Sequence, residues 1–196
     1  MAKIAVLASG SGSNFEAIVA ALADPARNPA GHRVALLICD KPGAGCLSRA
    51  DRWKIPSRVF PYSRGATEAD RVSVEKAMTE ALEASEIQLV VLAGFMRILT
   101  PVFVGRWKGK LVNIHPALLP WHKGAHGIAD SFASTDPELG VTVHWVDEGV
   151  DTGVILAQRS FPRTPTLTLE EAEATIHALE HELYPATILS LLENRP

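Results

Sequence analysis

The sequence is short of cysteine: Cys39 and Cys46 are the only two in 196 residues. That excludes a disulfide framework, and thiols this sparse point to a reducing compartment, the cytoplasm. Neither the cysteines nor His122 and His126 have metal-ligand spacing, so no metal is expected. A basic run is also missing. Lys and Arg number 19 against 22 Asp and Glu, and the net charge of −3 offers no long-range pull to nucleic acid or anionic membrane. No apolar run is long enough for a membrane span, and that in "MAKIAVLASG" is too short for a signal peptide. Internal repeats and low-complexity segments are absent too.

What remains is an ordinary soluble composition, 47% hydrophobic and 21% charged. A chain of this length buries about 70% of its unfolded surface and needs no covalent staple. Short runs rich in Val, Ile and Leu alternate with amphipathic stretches. Strands are expected over 3–8, 32–39, 57–60, 87–94, 110–115, 140–146 and 153–161. Helices are expected over 14–24, 46–54, 66–85 and 169–192, the last opened by a Thr168–Glu171 capping box. This alternation predicts an α/β fold with a doubly wound, mainly parallel sheet. The final two strands lack a helix between them and should pair antiparallel. The stretch from Pro116 to about Gly140 shows no clear element, and a loop of that length is commonly functional.

Four motifs carry chemistry. "ASGSGSNF" (8–15) joins the first strand to the first helix, where backbone N–H groups and a helix N-terminus can hold an anion. Phe15 stands where the dinucleotide fingerprint needs a third glycine, and no Gly-Lys-Ser/Thr follows, so one phosphate fits better than a dinucleotide or a Walker loop. The bland alternative is a tight turn with an N-cap serine. In "LVNIHPALLP" (111–120), Asn113 and His115 lie two apart on a strand and therefore share a side. An amide and an imidazole at a strand's carboxyl end suit a developing oxyanion, and equally suit a pair that holds the turn at Pro116.

The acids Asp147, Glu148 and Asp151 share the loop "DEGVDTG". Such a run is commonly a solvated turn, but Asp151 is the one best flanked to point inward. There it would raise the pKa of His115 and help relay a proton. His144, alternating with apolar neighbours, reads as a core or supporting histidine. "LAGFMRIL" (92–99) is either a core strand running into a short helix or an apolar slot for a flat heteroaromatic ring. Cys39 should be buried, and Cys46 should open a helix.

Taken together and in order, "VLASGSGSNFEAI", "VVLAGFMRIL", "NIHPALLP", "GVTVHWVDEGVDTG" and "EHELYP" closely resemble the folate-dependent phosphoribosylglycinamide formyltransferase family, over nearly the whole chain. The resemblance implies formyl transfer from 10-formyltetrahydrofolate to the amine of phosphoribosylglycinamide, in purine synthesis. It implies one formyltransferase domain over 1–196, with a phosphate-binding first half and a folate-binding second half. Gly12, Ser13 and Asn14 would hold the substrate phosphate, and Glu180 its glycinamide side. Arg71, Met96, Arg97, Ile98, Leu99, Asn113 and Asp147 would meet the folate. Asn113, His115 and Asp151 would be catalytic, with no metal and no covalent enzyme intermediate. Partners would be small molecules, with no nucleic acid or membrane, and the assembly a monomer or homodimer.

The chain departs from the family's usual Phe-Pro-Gly or Tyr-Pro-Gly turn after "LLP", reading "WHKGAHGIADSF" (121–132) instead. A formyltetrahydrofolate hydrolase would carry a further N-terminal domain, and a methionyl-tRNA formyltransferase a C-terminal domain and basic surface. Length and charge weigh against both. A doubly wound nucleotide-binding module without catalysis would explain the glycine-serine turn, but gives no reason for Asn113, His115 and Asp151.

Overall fold

In the computed structural model, residues 1–194 are described. β1 (Lys3–Ala8), β2 (Arg33–Cys39), β3 (Ser57–Val59), β4 (Leu89–Leu92) and β5 (Leu111–His115) run parallel, and β6 (Glu138–Trp145) and β7 (Ile155–Pro162) close the sheet antiparallel. The order across the sheet is β3-β2-β1-β4-β5-β6-β7. Strand order reverses between β1 and β4, so the chain leaves these two strands in opposite directions and opens a crevice beyond their carboxyl ends.

Period-two alternation divides the strands between two cores. Ile4, Val6, Leu89, Val91, Val112 and Ile114 face one layer, built on α1 (Ser13–Ala23), α2 (Gly45–Arg52) and α6 (Leu169–Glu193). Ala5, Leu7, Val90 and Leu111 face the other, against α3 (Glu68–Ala84) and α4 (Pro101–Arg106). Because parallel strands are covered on both faces, β4 is buried along its whole length. Edge strand β7 is mostly exposed or half-buried. The fully buried Tyr184 of α6 crosses the first layer and places its hydroxyl 2.8 Å from the carbonyl of Leu92, the last residue of β4, and 3.1 Å from that of Val112 in β5.

The capping box at Thr168 and Glu171 opens α6 as expected, and Thr67 with Asp70 makes a second at α3. Two expectations are corrected. The stretch from Pro116 to Gly140 is not bare loop: it holds α5 (Gly127–Ala133), and β6 begins at Glu138. "GIADSFA" starts on glycine with no side-chain cap, and seven residues are too few to show a helical period. The first helix is capped by Gly12, not by a serine.

Candidate active site

Gly12 sits in the left-handed region, φ 78°, and supplies no side chain to the first turn of α1. The first-turn N–H groups lack intrahelical acceptors and are left for an anion. A Cβ on Gly12 would lie 2.6 Å from that of Cys46, so this position needs glycine for space as well as for φ. Cys46, in the first turn of α2, donates its N–H to the Gly10 carbonyl, and Arg49 donates from Nε to the Ser11 carbonyl at 2.8 Å. Helix α2 thus braces the turn from behind. Both cysteines are buried, with sulfurs 3.6 Å apart.

Asn14 donates from Nδ2 to Oε2 of Glu180 at 2.9 Å, joining residues 166 apart in sequence. The Asn14 Oδ1 is buried without a partner, an acceptor open to a donor from a bound molecule. Glu180 itself is buried, and its charge acts on His115. The turn after β1 and the tip of β5 are therefore electrostatic neighbours.

Beyond the ends of β4 and β5 lies a cavity of about 270 Å³. Met96, Arg97, Ile98, Leu99, Asn113, His115, Asp147 and Asp151 all line it, as do Val104, His144 and Val146. The sequence thus named residues of both its polar floor and its apolar wall. Gly12, Ser13, Asn14, Glu180 and Arg71 are not in its lining. Met96 and Ile98 stand 62% and 67% exposed at the mouth, whereas Leu99 is buried. Arg97 turns from the slot to Asp40, at 2.6 Å, and stacks over Tyr62. Arg71 donates to the Ile98 carbonyl and so braces the slot from outside. Asp147 accepts from Gly149 N–H and the Thr152 hydroxyl, which closes the acidic loop on itself.

On the floor, Asp151 lies between two imidazoles. Its Oδ2 is 3.3 Å from His115 Nδ1 and its Oδ1 is 3.4 Å from His144 Nε2, while Gly124 donates its N–H to Oδ2 at 2.8 Å. Asp151 has φ 51°, a left-handed conformation that aspartate tolerates better than most residues. The other nitrogen of each ring contacts a backbone carbonyl: His115 Nε2 that of His122 at 2.7 Å, and His144 Nδ1 that of Trp145 at 2.8 Å. A carbonyl only accepts, so these contacts assign the neutral tautomers. The nitrogens facing Asp151 are then acceptors until a proton arrives. Asn113 Nδ2 lies 3.3 Å from His144 Nε2 and can donate to it. With His144 accepting there, His115 is the imidazole left to donate to Asp151 once charged.

The expected rise in the His115 pKa is corrected. Burial lowers it, and the upward pulls of Asp151 and the His122 carbonyl do not make up the difference. At 3% exposure, desolvation of the imidazolium outweighs one carboxylate at 3.3 Å. Burial pushes Asp151 up, but the contact with His144, the Gly124 amide and the pull of His115 when it is charged hold its carboxyl below the usual range.

His144, read as a core or supporting histidine, is 1% exposed and lies in the cluster itself. The Gly124 amide and the His122 carbonyl were missed, since backbone groups leave no mark in a residue pattern. So was Gly127, where a Cβ would come within 2.9 Å of His115 Nε2, leaving that ring no spare room. The Asp40–Arg97 pair had a signal only in a charge at the end of a buried strand.

The family model for formyl transferase matches residues 2–188. The chain is 42% identical to the phosphoribosylglycinamide formyltransferase of Bacillus subtilis over 98% of its own length and 95% of that protein's. It is 40% identical to the trifunctional purine biosynthetic protein adenosine-3 of Drosophila melanogaster, over 97% of this chain but only 14% of that longer protein. Among solved structures, glycinamide ribonucleotide transformylase 1 from Geobacillus kaustophilus superposes with a TM-score of 0.87 at 43% identity, covering 98% of this chain and 99% of that one. The slot, the polar floor and the glycine-serine turn sit in a chain that belongs to the formyl transferase family, among its phosphoribosylglycinamide formyltransferases.

Proposed function

We propose that this chain passes the formyl group of 10-formyltetrahydrofolate to the amine of phosphoribosylglycinamide. The observation that carries the reading is the Asn113–His115–Asp151 cluster on the floor of an apolar slot, beside a turn suited to one phosphate. A flat pterin fits between the Met96–Leu99 segment and the acidic loop from Asp147 to Asp151, with Arg71 behind the first wall. The phosphate goes to the first-turn amides at Gly12, Ser13 and Asn14, and Glu180 takes the glycinamide side. One domain carries the reaction, with phosphate held toward the first half of the chain and folate toward the second.

The chemistry asked of the residues is limited. A neutral amine attacks the formyl carbon, and the carbonyl oxygen takes up negative charge. The Asn113 amide donates to that oxygen without titrating, and His115 adds a proton donor beside it. His115 Nε2 is held by the His122 carbonyl at rest, so donation from it to the oxyanion requires that contact to open. Asp151 holds the ring through Nδ1 and stabilises its charged form while the proton lost by the attacking nitrogen is passed to the departing folate nitrogen. Burial keeps His115 neutral at rest, and the developing oxyanion then favours its protonation. The partners are small molecules. Among the described residues no helix is long and apolar enough to cross a membrane, and the buried thiols suit the cytoplasm.

The test is absorbance-monitored deformylation of a 10-formyl folate with and without phosphoribosylglycinamide. Turnover only with the amine present supports the transferase. Turnover without it makes the chain a hydrolase, and a folded protein with neither activity is a binding module.

A further inference from the structure

One wall of the slot is bare chain. Residues 93–100, between β4 and α4, form neither helix nor strand, so their backbone groups depend on partners from elsewhere. Ser9, buried just after β1, supplies two: its N–H donates to the Gly94 carbonyl at 3.0 Å, and its Oγ accepts from the Met96 N–H at 2.8 Å. Helix α3 grips the other end. Arg71 donates to the Ile98 carbonyl, and Glu75, four residues on, accepts at Oε2 from the Thr100 hydroxyl and, at 3.0 Å, from the Thr100 N–H. Four residues rise about 6 Å along a helix, and two residues of extended chain span about 6.6 Å. One face of α3 therefore matches the backbone from Ile98 to Thr100.

Glu75 and Thr100 are both buried. The partners of this carboxylate are neutral donors: Thr100, and the Tyr62 hydroxyl at 3.2 Å from Oε1. A buried carboxylate without a cation is a poor device for stability, because desolvation offsets what its hydrogen bonds return. It is a good device for geometry, since charge-assisted bonds are short and directional. The Thr100 hydroxyl passes the constraint on, for it also accepts from the Phe103 N–H as the N-cap of α4. Through Tyr62 the same carboxylate reaches Arg97, whose guanidinium lies 5.1 Å over the ring. Burial, then the charge of Glu75, push the Tyr62 pKa up, so its hydroxyl stays a donor.

We propose that Glu75 is a positioning residue for the formyl donor: from behind the slot it sets, through Thr100, the depth at which Ile98 and Leu99 meet the bound ring. The inference rests on the reading that the donor lies against Met96–Leu99. Glu75 and Thr100 are outside the lining of the slot, whereas Leu99, bonded to Thr100, is in it. A shift at Thr100 is thus handed directly to a lining side chain. The turn after β1 and the Asn113–His115–Asp151 floor stand on other elements, so a displaced wall should weaken the donor alone.

The experiment is steady-state kinetics with each substrate varied in turn, on the wild type, Glu75→Gln, Thr100→Val, Thr100→Ser and the double variant Glu75→Gln/Thr100→Val, with thermal melting alongside. Glu75→Gln keeps the volume and one acceptor and removes the charge. It should raise KM for the formyl donor roughly three- to tenfold, the scale of weakened bonds to a charged acceptor, with KM for the amine and kcat at saturation unchanged. Thr100→Val keeps the shape, deletes the hydroxyl and should do the same. Thr100→Ser restores the hydroxyl and should bring the donor KM back near wild type. Because Glu75 acts through Thr100, the double variant should lose no more than the larger single loss.

A lowered melting temperature with every kinetic parameter unchanged makes Glu75 a stability residue only and overturns the inference. An equal rise in KM for both substrates overturns it too, as do additive losses in the double variant. If Glu75→Gln melts below the assay temperature, Thr100→Val against Thr100→Ser decides, and equal donor KM values in those two overturn the inference. Met96→Ala and Ile98→Ala, changed at the exposed mouth, separate this from the underlying reading. If both leave the donor KM unchanged, the placing of the donor falls and the inference with it. If they raise it while Glu75→Gln does not, only the role given to Glu75 falls.

Discussion

Two parts of the site lie along the same edge of the sheet and are held by different means. The turn after β1 is held by shape: Gly12 is pressed against Cys46, a Cβ on Gly45 would meet the Ser11 backbone at 3.2 Å, and the turn ends in the backbone amides of a helix start. The floor of the slot is held by charge: Asn113, His115, His144 and Asp151 meet through side chains at 3.3–3.4 Å, and their carboxylate stands on a left-handed loop residue. A backbone cradle cannot titrate and cannot relax far, which suits a ligand group that stays the same through the reaction. A side-chain cluster can gain and lose a proton, which suits the centre where charge develops. The first should fail by sterics at any pH, and the second should fail electrostatically with its shape intact.

The largest effect on binding and stability together should come from breaking the rigid half. Gly12→Ala incurs about 1–2 kcal/mol for an L-residue in the left-handed region and about 1–3 kcal/mol more for the clash with Cys46. The expected outcome is a lowered melting temperature and a rise of roughly a hundredfold in KM for the amine substrate. A variant with the wild-type KM would mean that the turn flexes and that the contrast between the two parts is wrong. On the floor, Asn113→Ala should lower kcat by about 10²–10³-fold, the scale of one lost oxyanion donor. KM for the amine should stay near wild type, because the turn after β1 is untouched. Loss of KM instead of kcat would make Asn113 a binding group.

The same contrast explains what the residues could and could not tell. Strands and long helices are legible where local pattern and fold agree. In β4 the run "LVVL", Leu89 to Leu92, is apolar throughout because both of its faces are covered, and in α6 the start is marked by Thr168 and Glu171. The shared side of Asn113 and His115 follows from strand alternation alone. What stayed hidden needed three dimensions. The helix at Gly127–Ala133 has neither a cap nor the length to show a period, and it forms where Gly127 fits under the His115 ring. The sign of the His115 shift depends on burial, and a sequence shows a neighbouring aspartate more readily than the water that its fold excludes.

That sign gives the next prediction, smaller in rate but direct in readout. Asp151 is the largest upward pull on His115, so Asp151→Asn should move the His115 midpoint further below the ordinary 6.5, followed by NMR titration of the ring. An unmoved midpoint would show that the 3.3 Å contact carries no charge coupling. Stability has the same sense for both groups. A depressed folded pKa contributes stability that is present above the unfolded value and lost as pH falls through the folded one. For His115 that loss begins below about 6.5, and for Asp151 below about 3.8. Acid should therefore weaken the floor before it touches the turn after β1, and Asp151→Asn should flatten the lower part of that loss in urea unfolding.

The smallest effect tests the outer wall of the slot. Arg71 donates to the Ile98 carbonyl from outside the cavity and has no place in its lining. If it acts only by steadying that wall, Arg71→Ala should raise KM for the formyl donor by roughly two- to fivefold, about the value of one exposed hydrogen bond, with kcat and KM for the amine unchanged. Arg71→Lys should restore little, because an ammonium lacks the planar fork that reaches a fixed carbonyl. A loss of tenfold or more, seen with donors that carry an acidic tail and absent with donors cut back to the pterin, would instead give Arg71 a direct contact with the donor. In that case the wall is part of the ligand site, and the charge-held region extends outward from Asp151 to the surface of α3.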